Sequence, residues 1–293
     1  MEDDHACGAP GTTTFDDVLR DIVAPGGARA ERELALWRSR RLDGPLQEAV
    51  HAFVTGHGHS VLNRLGVADV RAATEWDYGD PALRLERHAL GERRADDTKI
   101  KAVEDWTTPW ALSFVFHDLL ERLGHVPTWP EMRAFINGGG RAMLKEPFDR
   151  AFAPAWTLGQ GRGYDLARKE RHYAAFRFRV GKAYYSALRE IDAFVRLRRI
   201  FGLPLRYHVL ADVLFRTDFW CGRALVDLMV PNAAYRDGGR GRKRQSGEFM
   251  DQDGFGRLVI PIEVPRSWGR PDLVPRRELE RVAARMRQMA AAA

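Results

Sequence analysis

The spacing of apolar residues changes at Gly202, and that change limits the folds open to this chain. Over residues 182–201, Tyr184, Leu188, Ile191, Val195 and Ile200 recur at helical intervals along one face. Gly202 stops that helix and Pro204 follows it, the usual C-terminal punctuation. From there the pattern becomes strand-like. Residues 206–217 are rich in Val, Leu, Tyr and Phe and read as a strand or strand pair, which Asp218, Phe219 and Trp220 continue. Cys221, Gly222 and Arg223 form a turn, residues 224–230 a further strand closed by Pro231 and Asn232, and residues 258–264 a third strand candidate. A helix followed by a β-meander, in a chain that is otherwise mainly helical, gives an α+β fold.

The remaining pattern is helical. Thr14 is placed to cap a short helix over residues 15–23, the Ala-Pro-Gly-Gly run at 24–27 breaks it, and residues 28–39 resume it with Leu34 and Trp37 near one face. Pro45 opens a helix carrying Leu46, Ala49, Val50 and Phe53, and residues 60–65 and 67–76 follow as short helices. Residues 110–136 read as a helix, a short turn and a helix. Thr128, Pro130 and Glu131 stand in capping-box order at the start of the second helix. The stretch 165–180 reads as a basic helix, although Phe176 to Val180 alternate like a strand. Residues 275–293 form an amphipathic helix with Leu279, Val282, Ala283 and Met286 on one side. The expected organisation is a disordered tail (1–14), a helical region with a charged linker (15–98), a helical region holding the helix-turn-helix-like pair (99–181) and an α/β domain (182–293).

The longest apolar runs are far shorter than the ~20 residues that span a bilayer, and no apolar segment follows the acidic start, so the expectation is a cytoplasmic protein without membrane contact. Two cysteines, Cys7 and Cys221, make neither a disulfide framework nor a zinc site. The net charge is +6. Arg196, Arg198, Arg199 and Arg206 flank the meander, and Arg236, Arg240, Arg242, Lys243 and Arg244 follow it. Such a basic field favours phosphate-bearing partners, and the alternative is a solvated arginine-rich surface.

The meander also carries acids. Alternation sets Asp227 on the face opposite Val226 and Leu228. With Asp218 ending the neighbouring strand, two carboxylates can approach across the sheet, and an acid from the flanking helix can join them to hold a hard cation such as Mg²⁺. Such an ion activates water and stabilises phosphoryl charge.

The segment EIDAFVRLRRIFGLPLRYHVLADVLFRTDFWCGRALVDLMVPN resembles the helix, strand, strand and strand core of the PD-(D/E)XK, restriction-endonuclease-like nuclease superfamily. The resemblance covers about residues 182–232. It implies Glu190 as the helix acid, Asp218 as the motif aspartate and Asp227 as the acid of the (D/E)XK tripeptide. It further implies Mg²⁺ as cofactor and hydrolysis of DNA, less often RNA. The tripeptide departs from the pattern, because Met229 stands where the family has lysine. Lys243 is the substitute candidate, with Glu248 beyond it, and Arg206, Arg240, Arg242 and Arg244 are candidate nucleic-acid contacts. A descendant that binds nucleic acid or assembles without cleaving is the alternative. Self-association into a homodimer or larger complex stays open.

Each acid also has a plain structural role available. Asp227 can be an edge-strand acid facing solvent, Asp218 a strand-end acid bonded to local backbone, and Glu190 a surface glutamate paired with Arg189 or Arg196. His51, His57 and His59 suggest a metal site only faintly, and Gly159 to Gly163 reads as a plain loop. The start of the second helix of the 110–136 pair offers Glu131, Arg133 and Asn137, a poor set for reading base edges.

Overall fold

The computed structural model describes residues 12–39, 44–56, 59–78, 89, 100–108, 112–158, 163–229, 248–251, 255–261 and 273–292. Most of the expected disordered tail and charged linker lie outside these residues.

One long helix organises the molecule. Helix α10, Leu166–Arg199, takes in both the basic stretch and the firm helix expected after it. Phe176, Val180, Tyr184, Leu188, Ile191 and Val195 recur every three or four residues and are all buried. The strand-like alternation of Phe176 to Val180 is therefore overruled: on a helix, Phe176 and Val180 share a face four residues apart. The boundary expected at 181/182 falls inside this helix. The buried apolar residues form one cluster running from Val18 to Met286.

Around α10 lie α5 (Val67–Tyr78), α6 (Lys101–Glu104), α7 (Leu112–Leu123) and α12 (Arg276–Ala292). The expected stripe of α12, Leu279, Val282, Ala283 and Met286, is buried throughout. Helix α8 (Trp129–Asn137) follows α7, and its capping box forms as the sequence predicts, with Thr128 and Glu131 bonded reciprocally. Glu131 also binds His125, at 3.0 Å, so an acid occupied in capping stands at the start of the would-be recognition helix.

At the start of the described chain, α1 (Phe15–Val18) is capped by Thr14 and passes through a π-helical turn (Leu19–Val23) into α2 (Ala24–Ser39). The Ala-Pro-Gly-Gly run bends this path without ending it. Gly27, at φ 65° and ψ −160°, is the bend, a conformation open to glycine. Helices α3 (Gly44–Thr55) and α4 (Ser60–Arg64) follow. Between α8 and α10 run α9 (Lys145–Phe152) and a two-residue-strand hairpin, β1 (Thr157–Leu158) with β2 (Gly163–Tyr164).

The meander is corrected. The run expected as a strand at 206–217 is mostly helix α11, Val209–Phe215, and only Arg206 pairs in strand fashion, through an antiparallel bridge to Trp220. Such a short apolar run, bounded by turn signals and buried on all sides, has the same pattern as a helix or a strand. The sheet itself has the order β3-β4-β5. Strand β3 (Phe219–Cys221) and β4 (Ala224–Met229) form an antiparallel hairpin across Gly222, at φ 53°, and Arg223. Strand β5 (Gly256–Pro261) pairs with β4 in parallel.

Candidate functional site

The hairpin brings Asp218 and Asp227 to one end of the sheet. The β3–β4 register sets Phe219 against Val226, and the Asp218 N–H bonds to the Val226 carbonyl at 2.9 Å. One oxygen of the Asp218 carboxylate accepts the N–H of Leu228. This carboxylate therefore lies beside the Asp227 position on β4 and completes the ladder where β3 has run out. Both acids are buried, at 1 % and 4 % exposure, so Asp227 is not the solvent-facing edge acid of the plain reading. Asp218 does carry out the local backbone role that reading gave it.

Beside the hairpin sits Tyr207, fully buried, whose hydroxyl bonds His117 Nε2 at 2.5 Å. Burial, and then the charges of Asp212, Glu190 and Asp218, hold its phenol far above the ordinary range. Glu190 from α10, Asp212 from α11 and Asp218 from the hairpin thus share the surroundings of one phenol. Glu190 is half-buried and accepts the Ser186 hydroxyl at 3.2 Å, while Arg196, its proposed surface partner, pairs with Asp192 at 3.0 Å. Among the described residues no group of three or more His, Cys, Asp or Glu side chains is gathered as a metal site. A hard cation such as Mg²⁺ can bind through only one or two carboxylates and keep its own waters, and Asp218 and Asp227 are donors of that chemical kind. The three-acid set with Glu190 is not assembled.

A second feature had no sequence signal. The amide N–H groups at the start of α11 are accepted by imidazoles, Val209 N–H by His59 Nε2 at 3.0 Å and Leu210 N–H by His208 Nδ1 at 3.1 Å. A helix start leaves such donors unmet by its own carbonyls. His59 reaches it from a backbone at φ 115°, unusual for a side-chain-bearing residue. Its ring meets His208, Tyr207 and His117 edge-on, with centroids 4.7, 5.3 and 5.8 Å away. Burial holds all three imidazoles neutral: His208 is pulled down to about 4, His117 to about 3, and His59 well below its usual value. His59 and His208 each accept a backbone N–H at one ring nitrogen, so the proton sits on the other. Fixed tautomers of this kind oppose metal ligation, which answers the faint histidine signal for His59; His57 lies outside the described residues, and His51 is exposed.

Four of the arginines expected to form a basic field, Arg196, Arg198, Arg199 and Arg206, are used inside the fold. Arg198 holds the Asn63 carbonyl and side-chain oxygen at 3.3 and 2.9 Å, and Arg199 the carbonyls of Asn63, Arg64 and Leu65 at 3.3, 3.2 and 3.1 Å. At the other end of α4, Glu121 accepts the N–H groups of Val61 and Leu62. This five-residue helix is thus clamped by charge of the correct sign at both termini. Arg196 binds Asp192 and the Val274 carbonyl, and Arg206 pairs with Asp17 at 2.5 Å and Asp21 at 3.5 Å. Lys243, Arg236, Arg240, Arg242 and Arg244 lie outside the described residues, as does the side chain of Met229. Glu248 is exposed.

Set against known proteins, the chain matches no family model, no curated protein and no solved structure. No helix among the described residues is long and apolar enough to cross a membrane.

Proposed function

We propose that this chain is a nucleic-acid-processing protein that hydrolyses phosphodiesters, with DNA as substrate, at the end of the β3–β4 hairpin. The observation that carries the reading is the Asp218 carboxylate pinned by the Leu228 N–H beside Asp227. The succession of long helix, hairpin and further strand supports the likeness to a PD-(D/E)XK core.

Asp218 and Asp227 would hold Mg²⁺, which when bound supplies an activated water and neutralises charge on the phosphate. The Leu228 N–H orients Asp218, as ligating carboxylates are commonly oriented by hydrogen bonds. Lys243, which lies outside the described residues, is the candidate cation in place of the lysine missing at position 229.

The test is nicking of supercoiled DNA with added Mg²⁺. Asp218→Ala and, because Asp218 also closes the hairpin, Asp227→Asn are each expected to abolish nicking while the far-ultraviolet circular dichroism stays that of the parent. Undiminished nicking by both variants would overturn the reading.

The second reading is a nucleic-acid-binding protein that does not cleave. It is favoured by Met229 at the lysine position and by the ladder role of Asp218. Metal-independent DNA binding with a steep salt dependence and no nicking by the parent selects it.

A further inference from the structure

Two lysines approach the ring of Tyr173 on α10, and their charges are met in different ways. Lys145 Nζ lies 5.0 Å from the ring centroid and bonds Asp149 at 2.6 Å and the Tyr173 hydroxyl at 3.0 Å. Lys169, one turn before Tyr173, has its Nζ 5.9 Å from the same centroid, 5.3 Å from that of Trp156 and 5.2 Å from that of Tyr164. Its ammonium meets no carboxylate and no hydrogen-bond acceptor among the described residues. Aromatic faces attract a cation. They replace the hydrogen bonds of water poorly, and an ammonium has three N–H donors to satisfy.

Two walls of this cage are held by contacts that do not involve Lys169. Trp156 is buried, with its ring 5.5 Å from Tyr173 and 6.3 Å from the fully buried Phe148. The Tyr173 hydroxyl is fixed by Lys145 and Asp149. The Asp165 N–H bonds the Trp156 carbonyl at 2.8 Å and so closes the base of the β1–β2 hairpin that carries Tyr164. Tyr164 is the open wall, at 49 % exposure. Lys169 is half-buried between exposed Arg168 and Glu170 near the start of α10, and its flexible four-carbon stem can turn to water without moving the backbone.

We propose that the rings of Trp156, Tyr164 and Tyr173 form a binding site for the quaternary ammonium group of a small soluble ligand of the choline type, and that Lys169 is a built-in occupant which such a ligand displaces. The exchange favours the ligand on both sides. Lys169 regains water around its N–H donors, whereas a quaternary nitrogen has none to satisfy and buries its methyl groups against the rings. The spacing agrees. A methylated nitrogen touching a ring through carbon stands about 5 Å from it, the ~3.5–4.0 Å of carbon contact plus most of a ~1.5 Å C–N bond, and the three observed separations are close to that reach. The site uses none of the acids of the β3–β4 hairpin and needs no metal, so it stands or falls independently of the hydrolysis reading.

The experiment titrates tetramethylammonium chloride into the full chain in EDTA at constant ionic strength and follows the broadening of its methyl proton resonance. The parent is expected to bind tetramethylammonium and choline, and to bind methylammonium about 10-fold more weakly, because that ion gives up hydration at its N–H donors. Lys169→Ala should tighten tetramethylammonium binding about 10-fold by removing the competing occupant. Lys169→Gln, which loses the charge and keeps most of the side chain, should shift it in the same direction. Binding that appears only in these two variants also supports the proposal. Tyr164→Ala should weaken binding roughly 5-fold and Tyr164→Phe should preserve it, since the ring face makes the contact. Thermal melts matching the parent will establish that the fold is kept at these solvent-facing positions. The proposal is overturned if neither the parent nor the Lys169 variants bind, if both Lys169 variants bind no more tightly than the parent, if Tyr164→Ala leaves the affinity unchanged, or if methylammonium binds as tightly as tetramethylammonium. Capture of phosphatidylcholine vesicles without binding of free choline would also overturn it, by assigning the rings to a membrane surface.

Discussion

The two ends of α10 use the same side chain in opposite ways. At the C-terminal end, Arg196, Arg198 and Arg199 reach inward and satisfy carbonyls and a buried aspartate, so their charge is consumed in holding the fold. At the N-terminal end, Arg168 and Arg171 are exposed and Lys169 rests on aromatic rings. A count of charges along the sequence places a basic field around Arg196 to Arg206. Among the described residues the exposed cations Arg168 and Arg171 of α10 lie some thirty residues upstream, because availability depends on which carbonyls and carboxylates the fold brings within reach.

The sharpest way to break this contrast is to acidify. The C-terminal end of α10 leads into Tyr207, His208 and α11, where neutral imidazoles accept backbone N–H groups. Each histidine is neutral when folded and regains its ordinary affinity for protons, near pH 6.5, when unfolded. Below pH 6.5 the unfolded chain therefore binds more protons, and the stability these groups contribute is lost as pH falls through about 4 for His208 and about 3 for His117. At pH 5 each costs about 2 kcal/mol relative to neutral pH. Urea unfolding at the two pH values should show that loss, and amide exchange should rise first in α11 rather than in the opening turns of α10. His208→Asn keeps an N-cap acceptor but does not titrate, so the slope of stability against pH should fall; an unchanged slope would remove the imidazole caps from the account.

A smaller effect separates the arginines directly. Burial, and then the neighbouring Arg199, pull Arg198 down to about 10, and its guanidinium serves two oxygens of Asn63. Arg198→Ala should destabilise the fold by about 2 kcal/mol, since charge-assisted hydrogen bonds to partly buried groups are lost. The smallest effect belongs to the other end. Arg171→Ala should change stability by no more than about 0.5 kcal/mol, measured by the same urea titration. Equal losses in the two variants would erase the distinction between spent and available charge.

The sequence makes some of this legible and hides the rest for physical reasons. The Thr128–Glu131 box and the stripe on α12 are local patterns, set by residues three or four apart, and both form as expected. The Gly222 turn is equally local. Helix α11 is hidden because six of the seven residues of Val209–Phe215 are apolar, with Asp212 the exception, which blurs the period that tells helix from strand. The acid pair is partly legible: alternation places Asp227, but the ladder bond from Leu228 to Asp218 depends on where β3 ends. The roles of Arg198 and His59 are out of reach, because their partners lie 135 and 150 residues away in the chain.

Helix α10 also fixes a length. Twenty-two residues separate Arg168 from Glu190, and at 1.5 Å per residue that is about 33 Å of straight rod. The helix is a ruler. Labels attached at positions 168 and 190 should therefore report one separation, unchanged by any partner that leaves the helix intact.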